Sequence, residues 1–257
     1  MKLTIQGRLN TCLLMMLRTP AEAVRHLLPP GLELATHGRW AFWNIAYGQL
    51  AGVRPVGVPE SLGMSYRQIA YRLVVRARTQ QGEERRGVYF VKSFADLSPA
   101  RWVGNLLTDF NIHPGVLDFT EENRAIELTM DAGRADHETR IRLEERGGPM
   151  PDDSCFASQA EADDWLRCEA LGLSVKGDDL RLVEVERDAA RWQPRAMAIT
   201  GARLGFLETL GLKDTTPERA ICAGPLDYRW RLGGRERLAR STEPGVPTPS
   251  IGTPTAV

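Results

Sequence analysis

The chain has 257 residues, 42% of them hydrophobic, which is enough for one large core or two small ones. Lys plus Arg equals Asp plus Glu at 33 each, so no net field recruits nucleic acid or an anionic membrane, and neither is expected as a partner. The four cysteines, Cys12, Cys155, Cys168 and Cys222, form no CxxC pair and show no metal-type spacing with His, which fits reduced thiols in a cytoplasmic protein.

Leu3 to Arg18 is rich in apolar residues with little alternation, which predicts a strand buried on both faces or a barrel stave. Its apolar run, Cys12 to Leu17, lies between Arg8 and Arg18 and is far too short to span a bilayer. No small-residue cleavage site follows it, so no secretory signal is expected. Thr19-Pro20 opens a short helix, with Thr19 as N-cap and Pro20 at the first helical position, and Pro29-Pro30-Gly31 stops it.

A short strand follows, then a long aromatic one from Trp40 to Leu50. Met64 to Arg78 alternates, with Ile69, Tyr71, Leu73 and Val75 on one face and Gln68, Ala70, Arg72, Val74 and Arg76 on the other. After a polar turn at Gly82 to Arg86, Gly87 to Phe94 is a further strand. Ser98-Pro99 then heads a helix reaching about Phe110, with Ser98 as its cap.

Short strands are expected at Val116 to Phe119, Arg124 to Asp131 and Glu138 to Glu144. Ser158, with Glu161 three residues on, has capping-box spacing and starts a helix to Leu171. Leu180 to Arg187 is a strand, Arg203 to Leu210 a short helix closed by Gly211, and Ala220 to Trp230 the last extended segment. From Leu238 the chain is rich in Pro, Ser, Thr and Gly without apolar periodicity, so residues 1–237 read as one domain and 238–257 as a disordered tail.

Several chemistries are excluded, because no P-loop, GxGxxG after a strand, GxSxG elbow or HExxH is present. His26, His37, His113 and His137 are far apart; His137-Glu138 reads as an exposed strand pair before half of a metal site. No metal or cofactor is expected.

The helix-turn Ala23-Val24-Arg25-His26-Leu27-Leu28-Pro29-Pro30-Gly31-Leu32, the aromatic strand from Trp40, Gly87-Val88-Tyr89-Phe90 and Val103-Gly104 come in a distinctive order. That order resembles the acetoacetate decarboxylase-like superfamily, and within it an uncharacterised domain-of-unknown-function branch, over roughly residues 5 to 230. The resemblance implies an α+β, β-rich fold: a cone-shaped closed antiparallel β-barrel with three or four helices outside and a cavity within. Association into a homo-oligomer is in keeping with it. In the decarboxylases the cavity holds a lysine that forms a Schiff base with a β-keto acid. Carried onto this chain, that position falls in Phe110-Asn111-Ile112-His113, where Ile112 cannot form an imine and His113 is no adequate replacement. The branch commonly has Glu followed four residues later by Arg; this chain has Gln68 and Arg72.

The candidate site residues are therefore Arg72, Gln68, Asn44 and His113 for binding and Lys92 for catalysis. Arg72 facing inward is a bidentate clamp for a carboxylate; otherwise it is a surface arginine or the partner of a carboxylate such as Glu60 or Asp96. Period two puts Phe90, Lys92 and Phe94 on one face. If that face lines the cone, the aromatics desolvate Lys92 and favour imine chemistry; if not, Lys92 snorkels at the surface, which is the preferred reading. Asn44, sharing a face with Phe42 and Ala46, is a better pocket residue than Tyr47, and the six tryptophans read as core and seam residues. Three functions follow: a pocket for a small organic acid without the family's Schiff-base lysine, a lyase or aldolase-type enzyme using Lys92, and a non-catalytic structural or interaction protein.

Overall fold

The computed structural model describes residues 3–133, 138–145, 150–167, 170–187 and 191–239. Its first strand, β1 (Leu3–Pro20), is longer than predicted and runs through Thr19 and Pro20, which pair with Ala41 and Trp40. Thr19 therefore caps nothing: it is fully buried in the ladder, and Pro20 itself stands at the N-cap of α1 (Ala21–Val24), a single turn. Next come β2 (Glu33–Leu34), β3 (Trp40–Pro55), β4 (Met64–Arg78) and β5 (Glu84–Ala95). The helix α2 (Ser98–Leu107) is capped at Leu97, and the Ser98 hydroxyl accepts from Arg101 (2.8 Å) instead of capping the turn.

Beyond α2 lie β6 (Ile112–Pro114), β7 (Val116–Glu122), β8 (Ala125–Asp131), β9 (Thr139–Glu145) and α3 (Gln159–Arg167). At the start of α3 the capping-box residues act as predicted in kind: Glu161 N–H donates to Ser158 Oγ (3.2 Å). The Glu161 carboxylate reaches back to Ala157 N–H (3.0 Å), one residue before the expected partner. The chain continues as β10 (Leu171–Lys176), β11 (Asp179–Arg187), β12 (Arg195–Leu204), α4 (Gly205–Thr209), β13 (Thr216–Ala223) and β14 (Leu226–Arg237). The predicted last segment is thus two strands. They part at Gly224, whose φ of +126° and approach to the Asn10 carbonyl leave no room for a Cβ.

One edge of β1 pairs with β3 along nearly its whole length; the other pairs with β13 in its second half and β14 in its first. Through β14 the ring β1-β3-β4-β5-β10-β11-β14 closes into a seven-stranded barrel. All its joints are antiparallel except β5 with β10, which meet in parallel at Val88 and Gly172. Through β13 the sheet continues into β12, β9, β8 and β7, which fold over the outside of the barrel. Trp43, Tyr47, Tyr71 and Leu73 point outward from β3 and β4 into the layer between, against Leu128, Ile141 and Phe206, and form the main hydrophobic core.

Leu238 still packs on this core and Ala239 N–H donates to the Arg78 carbonyl (2.9 Å), so described chain extends two residues past the predicted domain boundary. No helix among the described residues is long and apolar enough to cross a membrane.

Candidate functional site

The inward face of the barrel surrounds a cavity of about 160 Å³ to which all seven strands contribute. It is open because the inward positions are small where β3, β4 and β10 face it: Ala46 opposite Ala70, Gly48 opposite Gln68, and Gly172 across the ring. One end is covered by α3, which is held by Asn44 Nδ2 donating to the Leu166 carbonyl (3.0 Å) and by Arg219 donating to Asp163 (2.7 Å). Leu166 itself lines the cavity.

Arg72, Gln68 and Asn44 are all among the residues that line this hollow. Arg72 Nε donates to the Asn44 backbone carbonyl (3.3 Å) and Nη2 to its side-chain oxygen, while the guanidinium lies over Phe90 at 5.5 Å. Neither Glu60 nor Asp96 reaches it: Asp96 accepts from the Arg67 backbone N–H (2.9 Å), and Glu60 lies near Arg54.

Lys92 is elsewhere, and its separation from Phe90 corrects the simple period-two reading. Arg72 pairs with Phe90 but its neighbour Tyr71 pairs with Lys92, so Val91 is an extra residue, a β-bulge. The bulge changes the parity of β5: Phe90 faces inward, whereas Lys92 joins Phe94 on the outer face, its Nζ 5.5 Å from the Phe94 ring and 5.2 Å from Phe206. Asn111, in a left-handed conformation (φ 50°), donates its amide to the Val91 carbonyl left by the bulge (2.7 Å).

The segment Phe110 to His113, on which the resemblance puts the reactive position, follows directly. Phe110 turns into the cavity and stacks on Phe90 at 3.8 Å. Ile112 is buried against Ala95 and Phe110, and its backbone is held by the Asn105 side chain at 2.8 Å on both sides. His113 sits outside the cavity, within 2.9 Å of the Asn111 side-chain oxygen and 6.0 Å from the Phe94 ring. No lysine is among the described residues that line the cavity.

Residues that sequence reasoning passed over complete the wall: Cys12, Arg187, Trp192, Tyr228 and Trp230. Arg187 was legible from the alternation Val183, Val185, Arg187 in β11; the tryptophans, read as core and seam, gave no such signal. Arg187 lies over Trp192 at 3.9 Å. Burial pushes the Cys12 thiol up to about 11, with the charges of Arg72 and Arg187 pulling the other way. Cys12, Cys155 and Cys222 are unbridged, and His137 and Cys168 lie outside the described residues.

Residues 6–225 match the model of a family described as an uncharacterized conserved protein, DUF2071. The chain belongs to that family. No curated protein matches it. Among solved structures, an acetoacetate decarboxylase-like enzyme from Sphingomonas wittichii superposes with a TM-score of 0.59 at 16% identity, covering 92% of each chain. Acetoacetate decarboxylase from Legionella pneumophila gives 0.58 at 11% identity, over 91% of this chain and 87% of that one. The enduracididine biosynthesis enzyme MppR, solved with pyruvate, gives 0.55 at 13%, over 93% and 91%. These likenesses show a shared fold: this DUF2071 chain has an acetoacetate decarboxylase-like barrel, in a family described as uncharacterized.

Proposed function

We propose that the barrel cavity receives a small organic acid whose carboxylate is held by Arg72, and that no imine-forming lysine takes part. The observation that supports this reading most is the placement of Arg72 and Gln68 on the inward face of β4, in a cavity whose described lining includes no lysine. A guanidinium offers paired donors in fixed geometry, and apolar walls strengthen its attraction to a carboxylate relative to water. Asn44 orients that guanidinium, and Gln68, whose side-chain amide has no hydrogen-bond partner among the described residues, supplies that amide to a second ligand atom. MppR was solved with pyruvate, a keto acid of the size this cavity accepts.

Calorimetric titration with pyruvate tests the first half: Arg72→Gln weakens binding at least tenfold, and equal affinity in the two proteins overturns the assignment. Pyruvate with borohydride, followed by peptide mass mapping, tests the second. No adduct is expected on Lys92, Lys176 or Lys213, and a reduced adduct on Lys92 restores the lyase or aldolase alternative.

A further inference from the structure

The helix α2 turns its small residues inward and its large apolar residues to solvent. Ala100 is buried, and Gly104 lies so close to β6 that an added Cβ would fall 2.5 Å from Ile112 Cδ1. The polar side chains fasten the helix at home: Asn105 bonds the Ile112 backbone on both sides, and Arg101 donates to Ser98 Oγ and the Ala95 carbonyl. What is left outside is apolar. Trp102 is 79% and Leu106 84% exposed, with Val103 and Leu107 beside them at 40% each. Four-residue spacing puts Trp102 and Leu106 on one ridge and Val103 and Leu107 on the next. Together they expose on the order of 400 Å² of apolar surface, a patch of the size that marks interaction sites on soluble proteins.

Charge and residue order point to a second copy of this chain as the occupant. Helices that lie in a lipid surface set Lys and Arg along their polar side. Here Arg101 is the one cation of α2, and Asp96 and Asp109 flank the helix. The formal net charge of zero leaves no overall repulsion between copies. The two ridges are also self-complementary. Turned antiparallel about a two-fold axis level with Gly104 and Asn105, Trp102 of each copy meets Leu106 of the other, and Val103 meets Leu107. A closed two-fold contact needs such a patch, which matches itself when rotated. Its area falls at the low end of specific interfaces, so the association is weak and concentration-dependent.

We propose that α2 is a homodimer contact, two copies packing this helix antiparallel through Trp102, Val103, Leu106 and Leu107.

The test is sedimentation velocity of the full chain from low to high micromolar concentration, where a monomer–dimer equilibrium is expected. Trp102→Arg and Leu106→Glu each weaken the dimer at least about tenfold, because each sets a charge in the apolar contact. Mixing these two variants restores association, since the antiparallel pair brings the new cation against the new carboxylate. Val56→Glu, at an exposed apolar residue outside α2, leaves the dimer unchanged. Unfolding midpoints of all three variants stay with the parent's, because the replaced side chains are mostly in solvent. A monomer at every concentration, a dimer indifferent to both α2 variants, or no recovery on mixing overturns the proposal. So does a dimer lost in Val56→Glu. Trp102-dependent binding of a monomer to phosphatidylcholine vesicles overturns it too, and assigns the face to a lipid surface.

Discussion

Asn44 accepts two hydrogen bonds from the guanidinium of Arg72, one on its backbone oxygen at 3.3 Å and one on its side-chain oxygen. Its side-chain Nδ2 donates to the Leu166 carbonyl in α3 (3.0 Å). One buried side chain thus joins the cation of the proposed site to the helix that covers it. Asn44→Ala removes one hydrogen bond from Arg72 and one from the Leu166 carbonyl, and the expected cost is about 1–3 kcal/mol in urea unfolding. Native-state hydrogen exchange rises in residues 159–167 before the barrel strands. Unchanged exchange there rules out the link.

A second polar cluster fastens the loop before α3. Arg18 and Glu218, both buried, form an ion pair; Ser154 Oγ donates to Glu218 (2.6 Å), and Arg18 also reaches Asp153 (2.6 Å). Glu218→Gln breaks the buried pair and is expected to cost about 3–5 kcal/mol. Asp153 is mostly exposed, so Asp153→Asn costs about 1 kcal/mol or less. Guanidinium unfolding midpoints of the two variants check the order, and equal losses overturn it.

Thiol reactivity should be slow and strongly alkaline. Burial holds Cys12 up to about 11, and burial with Glu218 holds Cys155 up to about 12. A thiol whose folded value lies above its unfolded one keeps its proton longer in the native state, so its contribution is full below about pH 9 and is lost as pH rises towards 11. Iodoacetamide labelling mapped by mass spectrometry should find Cys12 nearly inert at pH 8, reacting near pH 11. The alkaline fall in stability is expected to be smaller in Cys12→Ser.

Barrel closure depends on Gly87. A Cβ there would lie 2.3 Å from the Leu171 carbonyl, beside the parallel meeting of β5 and β10. Gly87→Ala is expected to destabilise by about 1–3 kcal/mol, the usual range for overpacking, and to abolish ligand binding by opening that seam. Gly201, where an added Cβ meets only Arg142 at 3.9 Å, is the control, and its Ala variant stays within about 0.5 kcal/mol of the parent. Equal midpoints for the two variants contradict the closure argument.

The strand faces of β3 and β4 were legible from residue order because polar and apolar side chains alternate there: Gln68, Ala70 and Arg72 could only share a face, and Asn44 could only oppose Tyr47. The family order of helix-turn, aromatic strand and Val103-Gly104 likewise led to the right barrel. What residue order did not carry was the parity of β5. An extra residue at Val91 leaves no mark in composition, yet it turns Phe90 inward and Lys92 outward. Nor could it carry the meeting round one cavity of Arg72 with Arg187 and Tyr228, on strands brought round by ring closure through β14, and with Trp192, in the connection after β11. Local alternation is written in neighbouring residues and survives in the chain alone; bulges and cavity walls depend on long-range pairing, so only the folded barrel decides which side chains meet.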